Sequence, residues 1–170
     1  MTEKTFLLVT EAHTAELAQQ LASSISRLVQ LHPELKLHIS LIGDLGAGNT
    51  TFTRYLLKSL GHLGKVKSPT YALCEPYELN LDGQKLTVHH FDLYRMRYAE
   101  EWIDAGFRDT FTNPGMCIVE WPEKAEGTLP TVDCTLSLDM NDDETRKIKL
   151  LSHTAIGENL LKPIDLNSQS

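Results

Sequence analysis

No run of about 18 apolar residues occurs in this chain, so its sequence offers no membrane-spanning helix. The opening residues, Met-Thr-Glu-Lys-Thr-Phe-Leu-Leu-Val, are too acidic and too short in apolar residues to read as a secretion signal. Cysteine is scarce: Cys74, Cys117 and Cys134 stand apart, each in a strand-like apolar run. An odd, scattered set argues against disulfides or a metal site and reads as buried free thiols in a reducing cytoplasm. Basic excess is missing as well, for the net charge is −7. Tight nucleic-acid binding by the chain alone is therefore disfavoured, because phosphate neutralisation drives such binding. Any contact with nucleic acid is left to a partner with a basic surface. No internal repeat, linker or low-complexity block divides the 170 residues, which suit one domain with a sizeable core.

One more absence is local. Gly43-Asp44-Leu45-Gly46-Ala47-Gly48-Asn49-Thr50-Thr51 follows the phosphate-loop pattern G-x-x-x-x-G-K-[S/T] except that Asn49 stands where lysine belongs. In such a loop the glycines let backbone N–H groups turn inward around phosphate oxygens at a helix N-terminus. The hydroxyl of Thr50 is placed to hold Mg²⁺. Lysine normally brings positive charge to the β- and γ-phosphates. Asn49 keeps a hydrogen-bonding tip and loses the charge and much of the reach.

The flanking sequence supports the loop. Leu37-His-Ile-Ser-Leu-Ile42 alternates like a strand, and Thr51 to Leu60 carries helical spacing at Phe52, Tyr55, Leu56 and Leu60, with Gly61 as a stop. Elsewhere the chain reads as mixed α/β. Residues 13–30 form an amphipathic helix with Leu17, Leu21, Ile25, Leu28 and Val29 on one face. Two strands, 71–79 and 85–92, are joined at Asp82-Gly83. A short helix covers 98–104, a buried strand 116–121, and 131–140 with 145–152 form a hairpin. The domain is set at residues 1–155. Residues 156–170 are read as a tail, polar from about 163 and partly disordered.

Three further segments hold chemistry. His90-Phe-Asp-Leu-Tyr-Arg95 ends a strand, and a carboxylate there facing a phosphate loop suits Mg²⁺, which makes Asp92 a candidate ligand. Glu120 ends the apolar strand before Trp121 and Pro122, where a lone carboxylate is costly without a partner. It suits a water-mediated Mg²⁺ ligand or a group orienting an attacking water. Ser68-Pro69-Thr70-Tyr71 places hydroxyls around a rigid proline, as in a loop that senses a γ-phosphate. Taken singly, each segment also has a plain structural reading: a surface aspartate, an exposed strand-end glutamate, an ordinary turn.

Together these segments resemble one family. The loop 43–52, Val66-Lys-Ser-Pro-Thr-Tyr71, Glu75-Pro-Tyr77, His90 to Arg95 and Val119-Glu-Trp-Pro-Glu123 are similar, in that order, to TsaE (YjeE) proteins. The resemblance spans about residues 5–152. It implies a single-domain P-loop NTPase-like α/β fold with a mixed parallel/antiparallel sheet. It implies an ATPase using ATP/ADP and Mg²⁺ in the bacterial machinery that makes threonylcarbamoyladenosine in tRNA. The partners implied are TsaB and TsaD, which carry the transferase chemistry on threonylcarbamoyl-adenylate from TsaC, so that tRNA is met only through the complex. By position, residues 43–48 match the phosphate nest, and Thr50 with Thr51 lies at the metal. Asp92 and Glu120 match the acidic metal and water site, residues 68–71 the switch, and Trp121 the tryptophan after the glutamate. Thr10, Glu123 and Arg146 fall where the family completes its nucleotide pocket.

Asn49 departs from the family's lysine. A lost charge-assisted hydrogen bond costs about 1.5–3 kcal/mol, so partial nucleotide binding is expected alongside a greater loss of turnover. Two alternatives keep the loop with a different outcome. One is a hydrolysis-dead, nucleotide-gated binding module of the same complex. The other is a small-molecule P-loop kinase, which expects an arginine-rich lid, whereas Arg95, Arg97 and Arg108 are scattered. No Asn-Lys-x-Asp segment is present to read guanine.

Overall fold

The computed structural model describes residues 1–44, 46–66, 69 and 73–166. In chain order its elements are β1 (Glu3–Leu8), α1 (Glu11–Leu31), β2 (Lys36–Ile42), α2 (Asn49–Ser59), β3 (Cys74–Leu81), β4 (Gln84–Asp92), α3 (Glu101–Asp104), α4 (Arg108–Thr112), β5 (Gly115–Glu120), a 3₁₀ turn (Pro122–Ala125), β6 (Cys134–Met140), β7 (Arg146–Ser152) and α5 (Ala155–Leu161). The strands form one 7-stranded sheet in the order β1-β7-β6-β2-β5-β4-β3. Its centre, β6-β2-β5-β4, is parallel. The outer pairs β1–β7, β6–β7 and β3–β4 are antiparallel. The centre is the apolar part: Met116 through Glu120 of β5 are all buried, as a strand covered on both faces requires.

The two faces carry different cores. Leu17, Leu21, Ile25 and Leu28 of α1 join Phe52, Leu56 and Leu57 of α2 over Ile39, Leu41, Val88 and Ile118. The opposite face is smaller and richer in aromatic rings. Phe91, Trp102 and Phe111 pack there with Val119 and Ala125, and the Phe91 and Phe111 rings stack at 5.0 Å. Side chains alternate along a strand. His90 and Asp92 therefore point to the same face as Val88, and Glu120 to that of Met116 and Ile118, the face bearing α1 and α2.

The expected helix 13–30 begins earlier, at Glu11, because Thr10 caps it. The Thr10 hydroxyl accepts from the His13 N–H at 3.3 Å, and His13 Nδ1 accepts from the Thr10 N–H at 3.3 Å. The strand before the loop, the helix after it, the turn at Asp82–Gly83 and the final hairpin all stand where the periodicity places them. The strand read from 131 begins at Cys134, after Asp133 has taken the His38 N–H on its Oδ2 at 2.8 Å.

The tail reading needs correction over its described part. Residues 155–161 form α5, and Leu160, Leu161, Ile164 and Leu166 are buried in the α1 core. The Ser24 hydroxyl of α1 donates to the Leu160 carbonyl at 2.6 Å. Four apolar residues at 160, 161, 164 and 166 outweigh the polar residues between them, so this segment packs. Residues 167–170 lie outside the described residues. Among the described residues no helix is long and apolar enough to cross a membrane.

Candidate functional site

The carboxyl ends of β2, β5 and β4 lie side by side, with Leu41 opposite Glu120 and Asp92 opposite Glu120. In open α/β sheets the crevice outside these strand ends is where ligands sit. Here β2 runs out at Ile42, the loop follows, and α2 begins at Asn49. A cleft of about 250 Å³ opens between them, lined by Asp44, Gly46, Gly48, Asn49, Thr50, Thr51, Asp92, Glu120, Trp121 and Arg146. Asp92, Glu120 and Arg146, which follow Thr50 by 42, 70 and 96 positions, thus meet it through sheet order.

The loop backbone explains its glycines. Gly48 has φ +109, a conformation that L side chains rarely adopt, and a Cβ on it would stand 3.1 Å from Arg146 Nε. Gly43 is closed in similarly, with the Leu138 carbonyl 2.8 Å and Asn49 Oδ1 2.9 Å from where its Cβ would be. Arg146 donates from Nε to the Ala47 carbonyl at 2.8 Å, which ties the start of β7 to the loop.

Asn49 is buried, and its Nδ2 lies 3.5 Å from the Gly43 carbonyl, folded back along the loop. Its Oδ1 is buried with no hydrogen-bond partner among the described residues. Thr50 is exposed at the first turn of α2.

Across the cleft the carboxylates are unequal. Glu120 is 3% exposed, and its Oε2 meets Nε2 of the fully buried His90. His90 Nδ1 has no partner among the described residues. Asp92 is half-buried. Burial raises its pKa above the usual carboxylate value, the Tyr94 N–H on Oδ1 at 3.0 Å opposes this, and Glu120 adds to it. After Glu120 the chain turns through Trp121, whose φ of +59 is unusual for a bulky residue. This carries the indole to the cleft rim, where it packs on Tyr94 with ring centroids 4.9 Å apart. Backbone held this way concentrates at functional sites.

These residues fit Mg²⁺ with phosphate. Among the described residues no three His, Cys, Asp or Glu side chains group to form a metal site by themselves. Mg²⁺ does not require such a cage: it takes one or two carboxylates, phosphate oxygens and water. Two carboxylates and the threonine hydroxyls on one cleft, one carboxylate raised in pKa by burial, are a hard-oxygen donor set short of positive charge.

The sequence-based candidates divide as follows. Gly46, Gly48, Asn49, Thr50, Thr51, Asp44, Asp92, Glu120 and Arg146 all line the cleft, and Gly43 and Ala47 belong to the same loop. Thr10 caps α1 and Glu123 sits in the 3₁₀ turn, both outside the lining residues. Leu45, Ser68, Thr70 and Tyr71 lie outside the described residues, and of the expected switch only Pro69 is described. His90 has no role in the sequence reading. The signal was present in its spacing, two residues before Asp92 and so on the same strand face.

Strand, glycine loop and helix at the carboxyl ends of parallel strands define a P-loop NTPase-like α/β fold. The family model described as "Threonylcarbamoyl adenosine biosynthesis protein TsaE" matches residues 8–148. The Haemophilus influenzae protein named tRNA threonylcarbamoyladenosine biosynthesis protein TsaE is 45% identical over 134 residues, 79% of this chain and 82% of that one. The Bacillus subtilis protein of the same name is 37% identical over 119 residues, 70% of each chain. The crystal structure of Bacillus subtilis YdiB matches the fold with TM-score 0.73 at 26% identity, over 95% of this chain and 93% of that one. This chain belongs to the TsaE family.

Proposed function

We propose that the chain binds ATP and ADP with Mg²⁺ in the loop cleft and serves threonylcarbamoyladenosine biosynthesis in tRNA, the process for which its relatives are named. The convergence of the glycine loop, Thr50, Asp92 and Glu120 on one cleft carries this reading. In it, the N–H groups of residues 43–48 receive phosphate oxygens at the start of α2. Thr50, Thr51 and Asp92 hold the metal, which when bound neutralises phosphate charge. Glu120, fixed by His90, holds the metal through water or orients the attacking water. Thr10, Glu123 and residues 68–71 belong to the same proposal as pocket-completing and switch residues. The working partners are TsaB and TsaD, with tRNA met only through them, in the cytoplasm. The charge of −7 suits a chain that does not grip RNA itself.

Asn49 sets the level of activity. Its amide lies along the loop beside Gly43 and supplies no charge to a transferring phosphoryl group. Losing one well-placed electrostatic donor costs about 10²–10³ in rate, by analogy with oxyanion holes. The test is steady-state phosphate release with TsaB and TsaD present, for the chain as given and for Asn49→Lys. Asn49→Lys is expected to be faster by about 10²–10³. Equal rates overturn the assignment of weak turnover to Asn49. Nucleotide binding and partner association with no turnover at all would favour the second reading, a nucleotide-gated binding module.

A further inference from the structure

Arg146 is the one cationic side chain among the described residues lining the cleft. It comes from β7, far from the loop in sequence, and three observations fix it there. Its Nε donates to the Ala47 carbonyl at 2.8 Å. Its side chain covers Gly48, where a Cβ would come within 3.1 Å of Nε and 3.4 Å of Cδ. None of the ion pairs among the described residues uses its guanidinium. A guanidinium tied by Nε keeps both terminal NH₂ groups for other acceptors, and two parallel N–H donors match two oxygens of a phosphate. The loop beneath it lacks its lysine, and Asn49 is turned toward Gly43.

We infer that Arg146 supplies the phosphate-binding positive charge that the loop of this chain has lost at position 49. The inference rests on the nucleotide reading above and deepens it. Two groups divide what one lysine does elsewhere: Asn49 keeps the space, and Arg146 keeps the charge. The tether to Ala47 holds that charge over the loop, so it serves a bound phosphate better than one in transit. This accounts for retained binding beside weak turnover. It also makes position 146 more demanding here than in a chain whose loop has lysine.

A double-mutant cycle tests this, with Mg·ADP binding followed by isothermal titration calorimetry. The four proteins are the chain as given, Arg146→Gln, Asn49→Lys and the double variant, each checked for native circular dichroism. In the Asn49 background, Arg146→Gln is expected to weaken ADP by about ten- to a hundredfold, the worth of a charge-assisted hydrogen bond. In the Asn49→Lys background the same change is expected to cost only a few-fold, because lysine restores the charge. Equal losses in both backgrounds, or no loss, overturn the inference and leave Arg146 a loop tether. Arg146→Lys separates charge from tether and serves if the Gln variant does not fold. It is expected to lose less affinity than removal of the charge does, and a loss as great as a hundredfold overturns the inference. If neither the folded chain nor its folded Asn49→Lys variant binds ADP, the nucleotide reading fails and takes the inference with it. If Asn49→Lys alone binds, only the inference fails.

Discussion

Glu120 keeps a buried carboxylate at the end of a strand because His90, on the neighbouring strand, reaches it with Nε2. Removing one partner of such a pair leaves the other buried and unmatched, which costs about 3–5 kcal/mol. His90→Leu is therefore expected to lower the urea midpoint by that amount of stability. His90→Gln, which keeps a donor, is expected to lose less. A His90→Leu protein as stable as the parent would show that Glu120 is satisfied elsewhere. Asp92 and Glu120 were legible as candidates because each ends an apolar strand, where a carboxylate needs a reason. The tie of Glu120 to His90 was not legible. It depends on β4 and β5 being neighbours, with Asp92 opposite Glu120, and nothing local to either strand states that register. Arg146 was placed by resemblance, and its contact with Ala47 likewise depends on sheet order.

α5 and the segment after it bear on how much of the chain is needed. Leu160, Leu161, Ile164 and Leu166 are buried. Full burial is worth about 1.5–3 kcal/mol for each such side chain. Together that approaches the whole stability of a typical domain, about 5–15 kcal/mol. Truncation after residue 155 is expected to give a protein that is unfolded or melts far lower, read by circular dichroism. An unchanged melting temperature would restore the tail reading. The elements legible in sequence are those with enough length to show a period: α1 over five turns, α2 after its loop, and the hairpins with their turn residues. β1 and α5 were missed because each is short. β1 is an edge strand with half-exposed alternation, and α5 is a 7-residue helix containing Gly157. Their existence is decided by what they pack on.

At the scale of the molecule, three thiols are sealed between layers. Burial pushes Cys74 and Cys117 up to about 12, and Cys134 is raised further by burial with Asp133 beside it. None is a thiolate at pH 8, so Ellman's reagent is expected to label no cysteine in the native protein and all three in guanidinium. Rapid native labelling would contradict the sealed layers. The same shifts set an alkaline limit. A neutral buried thiol favours the fold fully below its ordinary pKa of 9.0. That contribution is lost as pH rises toward about 12, because the unfolded chain ionises first. Thermal melts are expected to show a lower midpoint at pH 10.5 than at pH 8, with a smaller drop after Cys117→Ala. The sheet also couples segments far apart in sequence. Among the described residues β1 pairs only with β7, Glu3 lying opposite Leu151, and the Lys4 ammonium reaches the carbonyls of Lys162 and Ile164. At about 5–20 residues per second of synthesis, β1 waits on the order of ten seconds for β7. On the ribosome, then, β1 is locked only by a strand made well over a hundred residues after it.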